Sequence, residues 1–83
     1  MPSDQDLTLN IATPAGLFTG TFLKTTKVKD VIAEVAAAMG LAAGDQFELA
    51  QNGVVLQPVE RPLVSFGLED GADLDLVATG SAV

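Results

Sequence analysis

The sequence predicts an α+β domain in which one helix packs across a mixed sheet of four to five strands. Three observations carry that prediction. Several segments alternate apolar and polar residues with the period of a half-buried strand. One central segment changes to the period of a helix. Short turn signals, Pro14-Ala15-Gly16 and Asn52-Gly53, join neighbouring strands into hairpins.

The first strand is Leu7 to Thr13, with Leu7, Leu9 and Ile11 directed inward. After Pro14-Ala15-Gly16, the Thr- and Phe-rich stretch Leu17 to Leu23 forms the second strand. Phe18 and Phe22 share one of its faces, and Gly20 lies where the helix is expected to pass close over the sheet. Val28, Val31, Ile32, Val35 and Met39 then form one stripe of a helix of about three turns. Thr26 is the expected N-cap. Gly40 suits the left-handed position that ends a helix, and Leu41 can pack back on the last turn. Phe47 and Leu49 alternate with Glu48 and Ala50 in a third strand, and Val54-Val55-Leu56 returns from Asn52-Gly53. Pro58 and Pro62 bracket an irregular stretch, beyond which Leu63, Phe66 and Leu68 are expected to plug the open end of the core. Glu69-Asp70-Gly71 is a tight turn, and Asp73 to Ala78 is the last strand. The domain is expected over residues 7–78, between flexible tails of residues 1–6 and 79–83.

Composition narrows the chemistry. The 83 residues make one small domain, and 48% hydrophobic content is enough for collapse. The sequence contains no Cys and no His. Disulfides, thiolate nucleophiles and the commonest general base and metal ligand are therefore excluded. Ser65 and Ser81 have no histidine to activate them. The cluster Glu69, Asp70, Asp73 and Asp75 lacks the spacing of a calcium loop and reads as turn and solvent-facing residues. No nucleotide-binding glycine motif is present. The expectation is a non-enzyme with no metal and no cofactor.

The formal charge is −7, from 11 acidic and 4 basic residues. That charge opposes phosphate backbones and anionic membrane surfaces, so neither nucleic acid nor a membrane is an expected partner. The polar, acidic start is unlike a signal peptide, and no segment approaches a membrane span. A monomer in the cytoplasm is expected. Lys24, Lys27 and Lys29 cluster, whereas residues 45–75 are strongly acidic. A two-signed surface suits a protein partner; solubility alone is the competing reading.

The order of elements, with Asn52-Gly53, Leu56, Leu63 to Leu68 and Asp70 to Val77, resembles ubiquitin and its relatives. The resemblance spans about Leu7 to Gly80 and implies a ubiquitin-like β-grasp fold. Fold alone does not assign a role. Ubiquitin-like modifiers end in a Gly-Gly pair whose last carboxylate is adenylated and joined to a target. The corresponding pair here is Gly80-Ser81, followed by Ala82-Val83, so only the first glycine is present. The resemblance implies a modifier, of the kind bacteria encode, that is processed between Gly80 and Ser81 and conjugated through Gly80. Activating and conjugating enzymes and a processing peptidase would be its partners. A frayed end is the competing reading of Gly80.

The outward isoleucine of the ubiquitin recognition patch aligns with Ala50, which removes most of a hydrophobic hot spot. A non-covalent adaptor is the alternative, similar to the small accessory proteins of type VII secretion, which share the Gly67-Leu68-Glu69-Asp70-Gly71 turn. The expected partner-binding residues are Lys24, Lys27, Lys29, Ala50 and Val77. A sulfur carrier is a third reading, but it requires a terminal Gly-Gly.

Overall fold

The computed structural model describes residues 6–41 and 46–79. Strand β1 (Asp6–Thr13) and strand β2 (Gly16–Leu23) are followed by helix α1 (Val28–Ala38). Strands β3 (Gln46–Gln51) and β4 (Val54–Val55), a 3-10 turn (Leu63–Phe66) and strand β5 (Ala72–Thr79) complete the chain. The sheet has five strands in the order β2-β1-β5-β3-β4. Among the described residues, only the β1–β5 pair is parallel. A mixed sheet crossed by one helix is the arrangement expected from the alternation and the change of period.

Two residues assigned to the tails belong to the sheet. Asp6 pairs with Leu23, and Thr79 pairs with Gln46. Strand pairing extends one residue past the last clear apolar alternation at each end, because ladder bonds are made by backbone and not by side chains. The remaining tail residues, 1–5 and 80–83, lie outside the described residues.

The core is the meeting of one helix stripe and one sheet face. Leu9, Ile11, Leu49, Val28, Val31, Val35 and Leu63 are fully buried. Ile32 and Met39 flank the stripe and are partly buried against it. Burial of each large aliphatic side chain contributes roughly 1.5–3 kcal/mol. Gly40 ends the helix at φ 69°, with its N–H donating to Ala37 O (3.3 Å). Leu41 N–H then donates to Ala36 O (2.8 Å), and Leu41 packs against the core as expected. Asn52 and Gly53 take φ of 53° and 81°, the pair of positive values a two-residue hairpin requires.

The start of the helix differs from the expectation. Lys27, not Thr26, is the N-cap residue, and no side chain caps it. Backbone carbonyls from the proline-bracketed stretch do so instead. Val28 N–H donates to Arg61 O (3.1 Å), and Lys29 N–H donates to Val59 O (2.9 Å). Thr26 contributes its carbonyl, which accepts from Leu63 N–H (2.9 Å). The irregular segment thus satisfies the free donors of the helix end and seats Leu63 in the core in one movement.

Gly20 also has a different role. The atoms nearest to a side chain placed there are Phe18 ring carbons, at 2.8 Å, and no helix atom is among them. The missing Cβ makes room for Phe18 to lie toward Phe22, with ring centroids 6.3 Å apart. Close approach explains the glycine, but the approaching group comes from its own strand.

Leu63 is the position that separates a core plug from a surface loop. Leu63→Ala is expected to lower unfolding free energy by about 2–5 kcal/mol, and Val64→Ala next to it by under about 0.5 kcal/mol. Urea denaturation of the two variants beside the parent chain checks this. Equal losses would show that the 3-10 turn does not anchor the helix start.

Candidate interaction surfaces

Alternation along the strands sends Thr8, Asn10, Thr19, Thr21, Asp73, Asp75 and Val77 to the sheet face away from the helix. A polar row crosses that face from β2 to β5. Thr19 Oγ1 donates to Asn10 Oδ1 (3.1 Å), and Asn10 Nδ2 donates to Asp73 Oδ1 (3.3 Å) and Gly71 O (3.4 Å). The Thr8 and Thr21 hydroxyls lie 3.2 Å apart. Asp70 Oδ1 accepts the Thr8 N–H at 2.7 Å. Of Glu69, Asp70, Asp73 and Asp75, two are therefore tied to the sheet backbone or to an amide: Asp70 and Asp73. Among the described residues, no group of three or more His, Cys, Asp or Glu side chains could hold a metal ion.

On the β3 side the same face forms a shallow hollow, lined by Ala12, Pro14, Glu48, Ala50, Val55 and Asp75, with Val77 at its edge. Ala50 is only 6% exposed, although it alternates with the inward Leu49. It pairs with Val55 on one side and Asp75 on the other, and its methyl is too short to rise past them. Ala50 is thus a floor and not a protruding contact. Val77 is 47% exposed and is the large apolar group beside the hollow, whereas Leu17 and Leu23 on the same face stand at the β2 edge. Glu48 pairs across from it, so the apolar contact sits in an acidic setting.

The three lysines meet around the start of α1. Lys24 follows β2 and is half-buried, Lys27 is the N-cap residue and Lys29 is in the first turn; the latter two are exposed. Lys24 O accepts from Val64 N–H (3.0 Å), which ties this corner to the 3-10 turn. Cations at a helix N-terminus are opposed by the helix dipole, and in the first turn only Asp30 has the favourable sign. Helix stability therefore does not account for Lys27 and Lys29. Arg61, the remaining cation, stacks over Phe66 at 5.5 Å. Ser65 donates its hydroxyl to Pro62 O (2.8 Å), a turn contact. Gly80 and Ser81, the expected conjugation and processing positions, lie outside the described residues. No signal in the sequence pointed to the Ala50 hollow, since alternation assigns a face and says nothing of how high the neighbours rise.

No protein-family model and no curated protein matches the chain. Solved structures do match its shape. A de novo protein designed on ubiquitin superposes with a TM-score of 0.79 at 20% identity, covering 96% of each chain. The C-terminal ubiquitin-like domain of human 2'-5'-oligoadenylate synthetase-like protein gives 0.78 at 18% identity, covering 100% of this chain and 94% of that one. The ubiquitin-like domain of Plasmodium falciparum Dsk2 gives 0.76 at 19% identity, covering 89% and 99%. The fold is the ubiquitin-like β-grasp. No helix is long and apolar enough to cross a membrane, among the described residues.

The lysine corner makes a prediction on stability. Lys27→Glu and Lys29→Glu should each stabilise the fold, by about 0.3–1 kcal/mol at low salt, with the gain shrinking as salt is added. Urea midpoints at two ionic strengths read it out. A salt-independent loss would mean that the lysines make structural contacts of their own.

Proposed function

We propose that this chain is a ubiquitin-like protein modifier joined to its targets through the carboxylate of Gly80, after removal of Ser81-Ala82-Val83. The observation that carries the reading is the course of β5. It is held between β1 and β3 and pairs through Thr79, the residue immediately before Gly80. A strand held in the sheet up to the residue before a glycine suits enzymes that grip the domain and act on that glycine. The Ala/Gly/Asp-rich composition supports a bacterial, cytoplasmic setting with its own activating and conjugating enzymes and a processing peptidase. The modifier has no catalytic step of its own. Its enzymes would read Val77 among Glu48 and Asp75, since Ala50 lies too low to serve as the apolar plug.

The exposed Lys27 and Lys29 favour a second reading, a non-covalent adaptor or accessory subunit of the type VII secretion kind. An acidic partner docked on the lysine corner would account for cations placed against the helix dipole.

An N-terminally tagged chain expressed in its own cells separates the two. The modifier reading expects a species ending at Gly80, denaturant-resistant adducts heavier by the mass of the processed chain, and loss of those adducts in Gly80→Glu with an unchanged urea midpoint. Intact-mass measurement and denaturing gels check it. A single species ending at Val83, with no adducts, contradicts it. Loss of a co-purifying partner on Lys27→Glu/Lys29→Glu then identifies the adaptor.

A further inference from the structure

β2 is an edge of the sheet, and it carries none of the features that usually protect an edge. It is eight residues long, Gly-Leu-Phe-Thr-Gly-Thr-Phe-Leu, without a charge or a proline. The opposite edge, β4, is two residues long and is soon followed by Pro58. Leu17 and Leu23 at the ends of β2 are 69% and 56% exposed.

The backbone groups that β2 leaves open follow from the register. Gly71 N–H donates to Thr8 O (2.7 Å), so the even residues of β1 bond toward β5 and the odd ones toward β2. Leu7, Leu9, Ile11 and Thr13 are opposite Phe22, Gly20, Phe18 and Gly16. Leu17, Thr19 and Thr21 therefore point N–H and C=O away from the sheet. Leu23 presents only its N–H, because its carbonyl accepts from Thr26 N–H (2.9 Å).

We propose that β2 pairs antiparallel with β2 of a second copy of this chain, with Gly20 on the two-fold axis. Residues directly opposite in an antiparallel pair point to the same face. In this register Thr19 lies opposite Thr21 of the second copy, and both carry outward backbone groups. The exposed Leu17 lies opposite the exposed Leu23, so each copy covers the apolar end of the other. Phe18 lies opposite Phe22 on the helix side. The strand is thus complementary to itself, which is why a second copy is the occupant. Charge agrees. Asp73, Asp75 and Glu48 stand on β5 and β3, while β2 has no acid and the adjoining Lys24 is basic. The −7 charge of each copy still opposes association, so the pair forms more readily as salt is raised. Two short strands bury little area, which makes the pair weak: a monomer when dilute and a dimer when concentrated.

The full chain is followed by sedimentation velocity and by amide chemical shifts from about 20 µM to about 2 mM. The shifts should move most at Leu17, Thr19, Thr21 and Leu23, with the even residues between them moving less. Charge pairs then test the register. Thr19→Lys/Thr21→Asp places opposite charges across both Thr19–Thr21 contacts and should associate at least about tenfold more tightly than Thr19→Lys/Thr21→Lys. Thr19→Asp/Thr21→Lys, with the same net charge, should match the first variant. A pair shifted by one repeat would instead set residue 19 opposite residue 19, or 21 opposite 21, and so place like charges opposite in both mixed variants. Sedimentation independent of concentration, or equal association of all three variants, overturns the proposal.

Discussion

The parallel pairing of β1 with β5 joins the two ends of the chain, with Leu9 opposite Ala72 and Ile11 opposite Leu74. These partners are more than sixty residues apart in sequence, so the ladder forms only when everything between them is folded away. The closure cost of such a loop is recovered through the apolar face that the ladder completes. Leu9 and Ile11 come from one strand and Leu74 and Leu76 from the other, and all are buried under Val28, Val31 and Val35 of the helix. Polar contacts fasten the same seam on the outer face. Asp70 accepts from Thr8, and Asn10 reaches both Gly71 and Asp73. Two strands made consecutive in space in this way leave β2 at one edge and β3–β4 at the other.

Local order in the sequence was enough to locate the helix, the five strands and most of the core, because period and burial are coupled in a chain this short. Leu7, Leu9, Ile11, Val28, Val31 and Val35 were readable as core from spacing alone, and Gly40 and Asn52-Gly53 from their tolerance of positive φ. Relations between distant segments were not readable. The cap of the helix comes from the Arg61 and Val59 carbonyls, which no side-chain rule anticipates, so the task that the sequence suggests for Thr26 is performed by backbone. Gly20 answers to Phe18 two residues away and not to the helix. Ala50 faces outward as its position in the strand requires, yet it is covered because its neighbours are taller. The lysine corner was visible as charge in sequence, but its conflict with the helix dipole appears only once the N-cap is known.

A shared fold does not carry a shared surface. The outer face here combines a polar row across β2, β1 and β5 with an acidic hollow floored by Ala50. A receptor that takes a protruding apolar group has little to hold at that point, apart from Val77. The basic corner at the helix start lies on another part of the molecule, made by the link from β2 to α1 and by the loop that caps it. The same ladder that buries the core therefore separates surfaces of opposite sign, which allows partners to be distinguished by charge.

Native-state hydrogen exchange tests the role of the β1–β5 ladder most directly. If the ladder closes the fold, the bonded amides of β5 and β1 exchange only through global unfolding, with equal opening free energies that match the stability from denaturation. The amides of β2 that face the open edge exchange first. Release of β5 at a lower free energy than β1, with the helix and the remaining strands still protected, would contradict the account, because the fold would then stand without the seam on which it is said to depend.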